Sequence, residues 1–254
     1  MVMRKTAFIT GAGGFIGGET ARRLARDGYA VAASDLREDT LAQTVESIRA
    51  AGGEARAYAI DVTDSAVVDD VAARIVADFG SIDALVHVAG GSARIGGGCP
   101  RPLVEQDEHV IDTVIKVNLY GALWTARAAA RAMIAQGRGG RIVSFASIVG
   151  LNGLIGCADY AAAKGGVMSL VKVLAKELGP HKITANAVAP GVVMRPEEGD
   201  SASRAFGTNF LGEKCTAADI AGLVSYLCSP DARFVTGQTY VIDGGRSLAM
   251  KGSD

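Results

Sequence analysis

The sequence has little that would tie it to nucleic acid, membrane or metal. Its 26 Lys and Arg offset 27 Asp and Glu, the net charge is −1, and the basic residues are scattered. That pattern predicts neither a polyanion nor an anionic lipid surface as partner. No apolar run approaches the ~18 residues of a membrane-spanning helix, so no membrane association is expected. The opening MVMRKTAFITGAGG turns to glycine too soon for a signal peptide. Cys99, Cys157, Cys215 and Cys228 form no CxxC pair and no regular framework, which predicts reduced thiols in a cytoplasm. His87, His109 and His181 are dispersed, so no metal site is expected. Internal repeats, low-complexity tracts and linkers are absent too.

What the sequence does have is alternation. Short apolar segments at 6–10, 29–35, 55–61, 82–88, 140–146, 182–189 and 239–243 read as strands. Between them, 15–27, 39–51, 65–79, 105–136, 158–178 and 216–228 carry helical spacing. Several strands lack polar alternation, as expected where helices cover both faces of a parallel sheet. The prediction is a Rossmann-type α/β fold: one doubly wound, mainly parallel, seven-stranded sheet in three α/β/α layers, a single domain over 1–254. Loops are expected at 90–102 and 191–212, the second beside the substrate. Ligands of such sheets bind outside the carboxyl ends of the strands, so the residues just after each strand matter most.

The first such turn is TGAGGFIG, residues 10–17, between a strand and a helix. Gly11 permits a tight turn, Gly14 a close backbone approach to a pyrophosphate, and Gly17 close helix packing. The helix that Phe15 and Ile16 open would offer its free N–H groups and positive dipole end to phosphates. Asp35 ends the second strand, 18 residues past Gly17. A carboxylate there accepts hydrogen bonds from both ribose hydroxyls of NAD and repels a 2′-phosphate. Asp61, followed by Val62, is expected to end the third strand and approach the adenine. Arg37 lies close enough in sequence to swing towards a phosphate.

Residues 160–164 read YAAAK. Positions i and i+4 share a helix face, so Tyr160 and Lys164 stand side by side. A free phenol, with a pKa near 10, is a poor base at neutrality, and an ammonium within ~4–6 Å can lower it by 1–3 units. Ser147 lies 13 residues before Tyr160, Asn118 sits in KVNLYGALW, NAVAPGVV spans 186–193 and TGQTYVIDGG spans 236–245. Together with the glycine turn, this set resembles the short-chain dehydrogenase/reductase family in its short single-domain form, over nearly the whole chain.

The resemblance implies an NAD-dependent oxidoreductase that moves a hydride between nicotinamide and a secondary alcohol or ketone carbon. It makes Tyr160 the catalytic acid/base, with Lys164 lowering its pKa and holding the ribose. Ser147 would polarise the substrate oxygen and Asn118 would fix a water in a proton relay. Cofactor contacts would come from Gly11, Gly14, Phe15, Ile16, Gly17, Asp35, Asp61, Val62, Ala89, Gly90, Tyr160, Lys164, Pro190, Gly191 and Val193. It also implies a homotetramer, assembled through the long helices at 105–136 and 158–178.

Two departures stand out. Phe15 occupies the middle glycine of the family's usual TGxxxGxG, a spacing commoner in the extended branch that holds sugar-nucleotide epimerases. An epimerase-like enzyme is thus an alternative, and a non-catalytic nucleotide sensor on the same fold is another. HVAG at 87–90 replaces the usual Asn-Asn-Ala-Gly. This puts in question a hydrogen bond tying that strand to its neighbour, and His87 reads as structural. The substrate is expected to be a mid-sized secondary alcohol or ketone, such as a polyol, a sterol-like ring or a hydroxy acid, touching Ser92, Arg94, Val149, Asn152 and Cys157. Arg94, or else Arg101, would pair with a carboxylate or another acceptor-rich group.

Overall fold

The computed structural model describes residues 4–92, 95, 97, 98, 100–194 and 209–248. Its strands are β1 (Thr6–Thr10), β2 (Ala30–Asp35), β3 (Ala55–Ala59), β4 (Ala84–His87), β5 (Gly140–Phe145), β6 (Ile183–Pro190) and β7 (Thr239–Ile242). They form one sheet in the order β3-β2-β1-β4-β5-β6-β7, and every pair is parallel. This is the Rossmann-type, doubly wound α/β sheet the alternation predicts. Chain order reverses between β1 and β4, and that switch point opens a crevice at the carboxyl edge.

Both faces of the sheet are covered. Phe8, Leu85 and Ile142 pack with α3 (Ser65–Phe79), α5 (Gly121–Gln136) and α7 (Ala158–Leu178). Their neighbours Ile9, Val86 and Val143 point the other way. These meet α1 (Phe15–Arg26), α2 (Glu38–Ala50) and α8 (Ala217–Cys228). With apolar partners above and below, β1 and β2 are buried along their whole length. That is why they show no polar alternation.

The sequence reading errs in the expected helix over 105–136. It is broken into α4 (Glu108–Ile115), a π-helical turn (Lys116–Tyr120) and α5. The Asn118 side-chain amide donates to the Val114 carbonyl at 2.8 Å, competing for the acceptor of its own i−4 turn. The Gly121 N–H donates five residues back, to Lys116 O. A short α6 (Ile148–Asn152) was also missed, and β3 stops at Ala59, so Asp61 lies in the turn beyond it. Val193 bridges to Cys215, but 195–208, most of the expected 191–212 loop, lies outside the described residues. No described helix is long and apolar enough to cross a membrane.

Candidate active site

A cleft of about 1120 Å³ opens at the carboxyl edge of the sheet, over the switch point. Its first wall is the glycine turn. Gly11 has φ +69°, and a Cβ there would stand 2.8 Å from Ala89 N. A Cβ on Gly17 would collide with the Gly11 carbonyl oxygen, so turn and helix meet backbone to backbone. Gly14 is the N-cap of α1 and offers no side-chain acceptor, and the first turn carries no acid. By contrast, α3, α4 and α8 are capped by Asp64, Asp107 and Thr216. The positive end of α1 is left for an anion, which fits a pyrophosphate.

The sequence reading overlooked Gly13. Its N–H donates to Asp35 Oδ2 at 2.9 Å, and a Cβ there would stand 2.5 Å from Thr40 Oγ1. Its only signal is that it lies beside the glycines of the motif. Asp35, 9% exposed, also accepts from Arg37 N at 3.0 Å. The Arg37 guanidinium lies 3.8 Å from the same carboxylate and donates to Gly13 O at 3.4 Å. Asp61 Oδ1 accepts from the Thr63 amide and hydroxyl, at 2.9 and 2.7 Å. Phe15, Ile16, Asp61, Val62, Ala89, Gly90, Pro190, Gly191 and Val193 all line the cleft. Uncapped helix, glycine cradle and carboxylate together fit a dinucleotide.

Ser147, Tyr160 and Lys164 line the same cleft. Ser147 caps α6, its Oγ accepting from Val149 N at 3.2 Å. Lys164, 2% exposed, donates to Phe145 O at 2.7 Å and lies 5.6 Å from the Tyr160 ring centroid. Burial without a counter-charge pushes this lysine down to about 7. The Tyr160 phenol is raised from its ordinary value, first by burial, while a hydrogen bond with Ser147 draws it down. The net direction is upward, opposite to the lowering that the pairing predicts, because burial outweighs the Ser147 contribution. The Lys164 ammonium meanwhile donates one of its three protons to the Phe145 carbonyl.

Asn118 is buried and off the cleft wall. Besides Val114, its amide clamps Gly91, donating to Gly91 O at 2.8 Å and accepting from Gly91 N at 3.1 Å. A side chain on Gly90 would strike Asn118 Oδ1 and come 3.2 Å from Lys164 Nζ. Glycine is needed there. The strand tie questioned at HVAG is present in another form. His87 Nδ1 lies 3.0 Å from Thr10 Oγ1, on the neighbouring strand, and 3.1 Å from Thr125 Oγ1. Thr125 spends its own proton on Gly121 O at 2.7 Å, so Nδ1 carries the ring proton. Burial, with nearby Lys164, pushes His87 down to about 3. The imidazole is a neutral strut.

Of the expected substrate residues, Ser92 lines the cleft. Val149 and Asn152 lie on α6 away from it, Cys157 is buried at the start of α7, and Arg94 lies outside the described residues. Arg101 is off the wall as well. The sequence reading missed the α4 side of the cleft, where His109, Asp112, Thr113 and Lys116 stand. Lys116 and Asp112 pair at 2.6 Å. Their i, i+3, i+4 spacing was the available signal, but it looks the same as any solvated helix face.

Comparison with known proteins agrees with this geometry. A family model described as enoyl-(acyl carrier protein) reductase matches residues 11–247. The short-chain reductase protein NovJ of Streptomyces niveus is 38% identical over 251 residues, covering 94% of this chain and 93% of NovJ. This chain belongs to the short-chain dehydrogenase/reductase family. Another relative is a diacetyl reductase, (S)-acetoin forming, of Staphylococcus epidermidis, 34% identical over 96% of this chain and 98% of that protein. The crystal structure of acetoin dehydrogenase from Enterobacter cloacae superposes with a TM-score of 0.90 at 31% identity, covering 100% of both chains. As a short-chain dehydrogenase/reductase, the chain is an oxidoreductase. The family uses nicotinamide cofactors.

Proposed function

We propose that this short-chain dehydrogenase/reductase uses NAD to interconvert a small secondary alcohol and its ketone, with Tyr160 as the general acid/base. The observation that carries the reading is the meeting of Ser147, Tyr160 and a buried Lys164 on the wall of a dinucleotide-sized cleft. The chemistry that a bound nicotinamide supplies is transfer of a hydride, with its electron pair, to or from the carbinol carbon. In oxidation the ionised Tyr160 takes the hydroxyl proton, and in reduction the phenol returns one to the oxygen. Ser147 donates a hydrogen bond to that oxygen as negative charge develops. Lys164 holds the ribose, and its ammonium favours the phenolate once drawn from Phe145 O. Asn118, locked to Gly91, fixes the segment past Gly90 beneath the site.

Asp35 supports NAD over NADP. The family model's description concerns an enoyl group, whereas the names of the diacetyl reductase and butanediol dehydrogenase relatives concern ketones and alcohols, whose oxygen a phenol and a serine hydroxyl suit. The names of the diacetyl reductase and acetoin dehydrogenase relatives point to a small substrate with vicinal oxygens. The protein works as a homotetramer in the cytoplasm, a setting that suits the free thiols Cys157, Cys215 and Cys228. Oxidation of a panel of diols, hydroxyketones and simple secondary alcohols with NAD or NADP tests the assignment. NAD should be favoured at least tenfold in kcat/KM, about 1.4 kcal/mol, and Asp35→Ala should narrow that gap. Equal use of both cofactors overturns the NAD assignment. Dinucleotide binding without net reduced cofactor from any alcohol overturns the dehydrogenase assignment.

A further inference from the structure

Ser147 and Tyr160 account for one substrate oxygen. The Ser92 hydroxyl lines the same cleft and makes no hydrogen bond among the described residues. Ser92 follows Gly90 and Gly91, and that segment is held rigidly from beneath. Asn118 grips both the N–H and the C=O of Gly91, at 3.1 and 2.8 Å. Beyond Ser92, the Ile95 N–H donates to Ser92 O at 3.0 Å. The missing Cβ of Gly90 would stand 3.2 Å from Lys164 Nζ, so this backbone runs past the reacting end of the cleft. The Ser92 side chain is half-buried on the wall, and its Oγ makes no hydrogen bond among the described residues. A backbone tied down at Gly91 thus presents one neutral hydroxyl, able to donate or accept, on the cleft that Ser147 and Tyr160 also line. Ile95 and Val193 on the same wall offer only apolar surface.

We infer that Ser92 is a specificity-determining residue that hydrogen-bonds the second oxygen of a substrate whose first oxygen is held by Ser147 and Tyr160. This rests on the proposed alcohol–ketone chemistry and sharpens its substrate class to uncharged hydroxyketones, diketones and diols. A neutral hydroxyl gives such an oxygen a partner and has no charge to offer a carboxylate. Ketones with a single oxygen leave Ser92 unpaired, and sites built to hydrogen-bond a substrate group discriminate against analogues lacking it.

The test compares wild type with Ser92→Ala on diacetyl and on butanone, which keeps the four-carbon skeleton and loses one oxygen. Comparing variant with wild type on each ketone cancels the greater intrinsic reactivity of the diketone. The expected result is a fall of about threefold to tenfold in kcat/KM for diacetyl, carried by KM, with butanone unchanged within about twofold. Dinucleotide affinity, measured by fluorescence titration, should not move. Equal losses on both ketones overturn the inference, as does the absence of a loss on diacetyl or a wild type that does not turn diacetyl over. The underlying chemistry fails separately, through a Tyr160→Phe variant that still turns over its substrate.

Discussion

Two strand-to-helix turns leave the same edge of the sheet, and they are built on opposite plans. Between β1 and α1, every position that meets the cleft backbone is stripped of a side chain, and the N-cap, Gly14, offers nothing to its helix. Between β5 and α6, the N-cap is Ser147, whose hydroxyl accepts from Val149 N and reaches Tyr160. One turn makes room for an anion by leaving N–H groups unpaired. The other places a side chain where charge develops. A recognition site for a phosphate can be made of backbone alone, whereas proton chemistry needs a titratable group and neighbours that tune it.

The sharpest way to break this contrast is at Ser147. Ser147→Ala should cost about 10²–10³ in kcat, the usual loss for one preorganised donor. It should also move the pH dependence of alcohol oxidation. The Ser147 hydrogen bond lowers the Tyr160 pKa, so its removal raises it further. Less phenolate is then present at any given pH, and the rising limb of the oxidation profile shifts to higher pH. A variant with lowered kcat and an unmoved limb would show that Ser147 does not touch the phenol.

A smaller effect is expected at the other turn. Gly17→Ala forces a methyl against the Gly11 carbonyl, and overpacking of this kind costs about 1–3 kcal/mol. Thermal melting should show that loss, together with weaker dinucleotide binding. Gly14→Ala is the contrast, since its Cβ would meet only Gly11 O, at 3.2 Å, and its φ of −83° suits any residue. It should retain nearly all of the stability. Equal melting of the two variants would contradict the backbone-to-backbone contact at Gly17.

The same contrast explains what was legible in the sequence. Glycines with a steric duty, and a strand pattern buried on both faces, leave a direct trace, so the seven-stranded parallel sheet and the first turn follow from the letters. Asn118 shows the limit. Its helix looked continuous by spacing, because a π turn arises from one side chain taking a carbonyl that its own backbone would use. His87 shows another. Replacing an amide by an imidazole removed a familiar motif but kept the bond, and only the positions of Thr10 and Thr125 reveal it. The Tyr160–Lys164 pair was read from spacing, yet spacing could not tell that the lysine would face Phe145 O. Burial and competing acceptors set a pKa, and neither is written in i+4.

The central claim is that Tyr160 moves the proton, and Tyr160→Phe tests it most directly because one oxygen is removed from a buried ring. Turnover and dinucleotide affinity should be measured on the same preparation, with the best alcohol found for the wild type. The account predicts a fall in kcat of about 10²–10⁴ with dinucleotide affinity within about threefold of wild type. A Tyr160→Phe protein that turns over at a near-normal rate would contradict it.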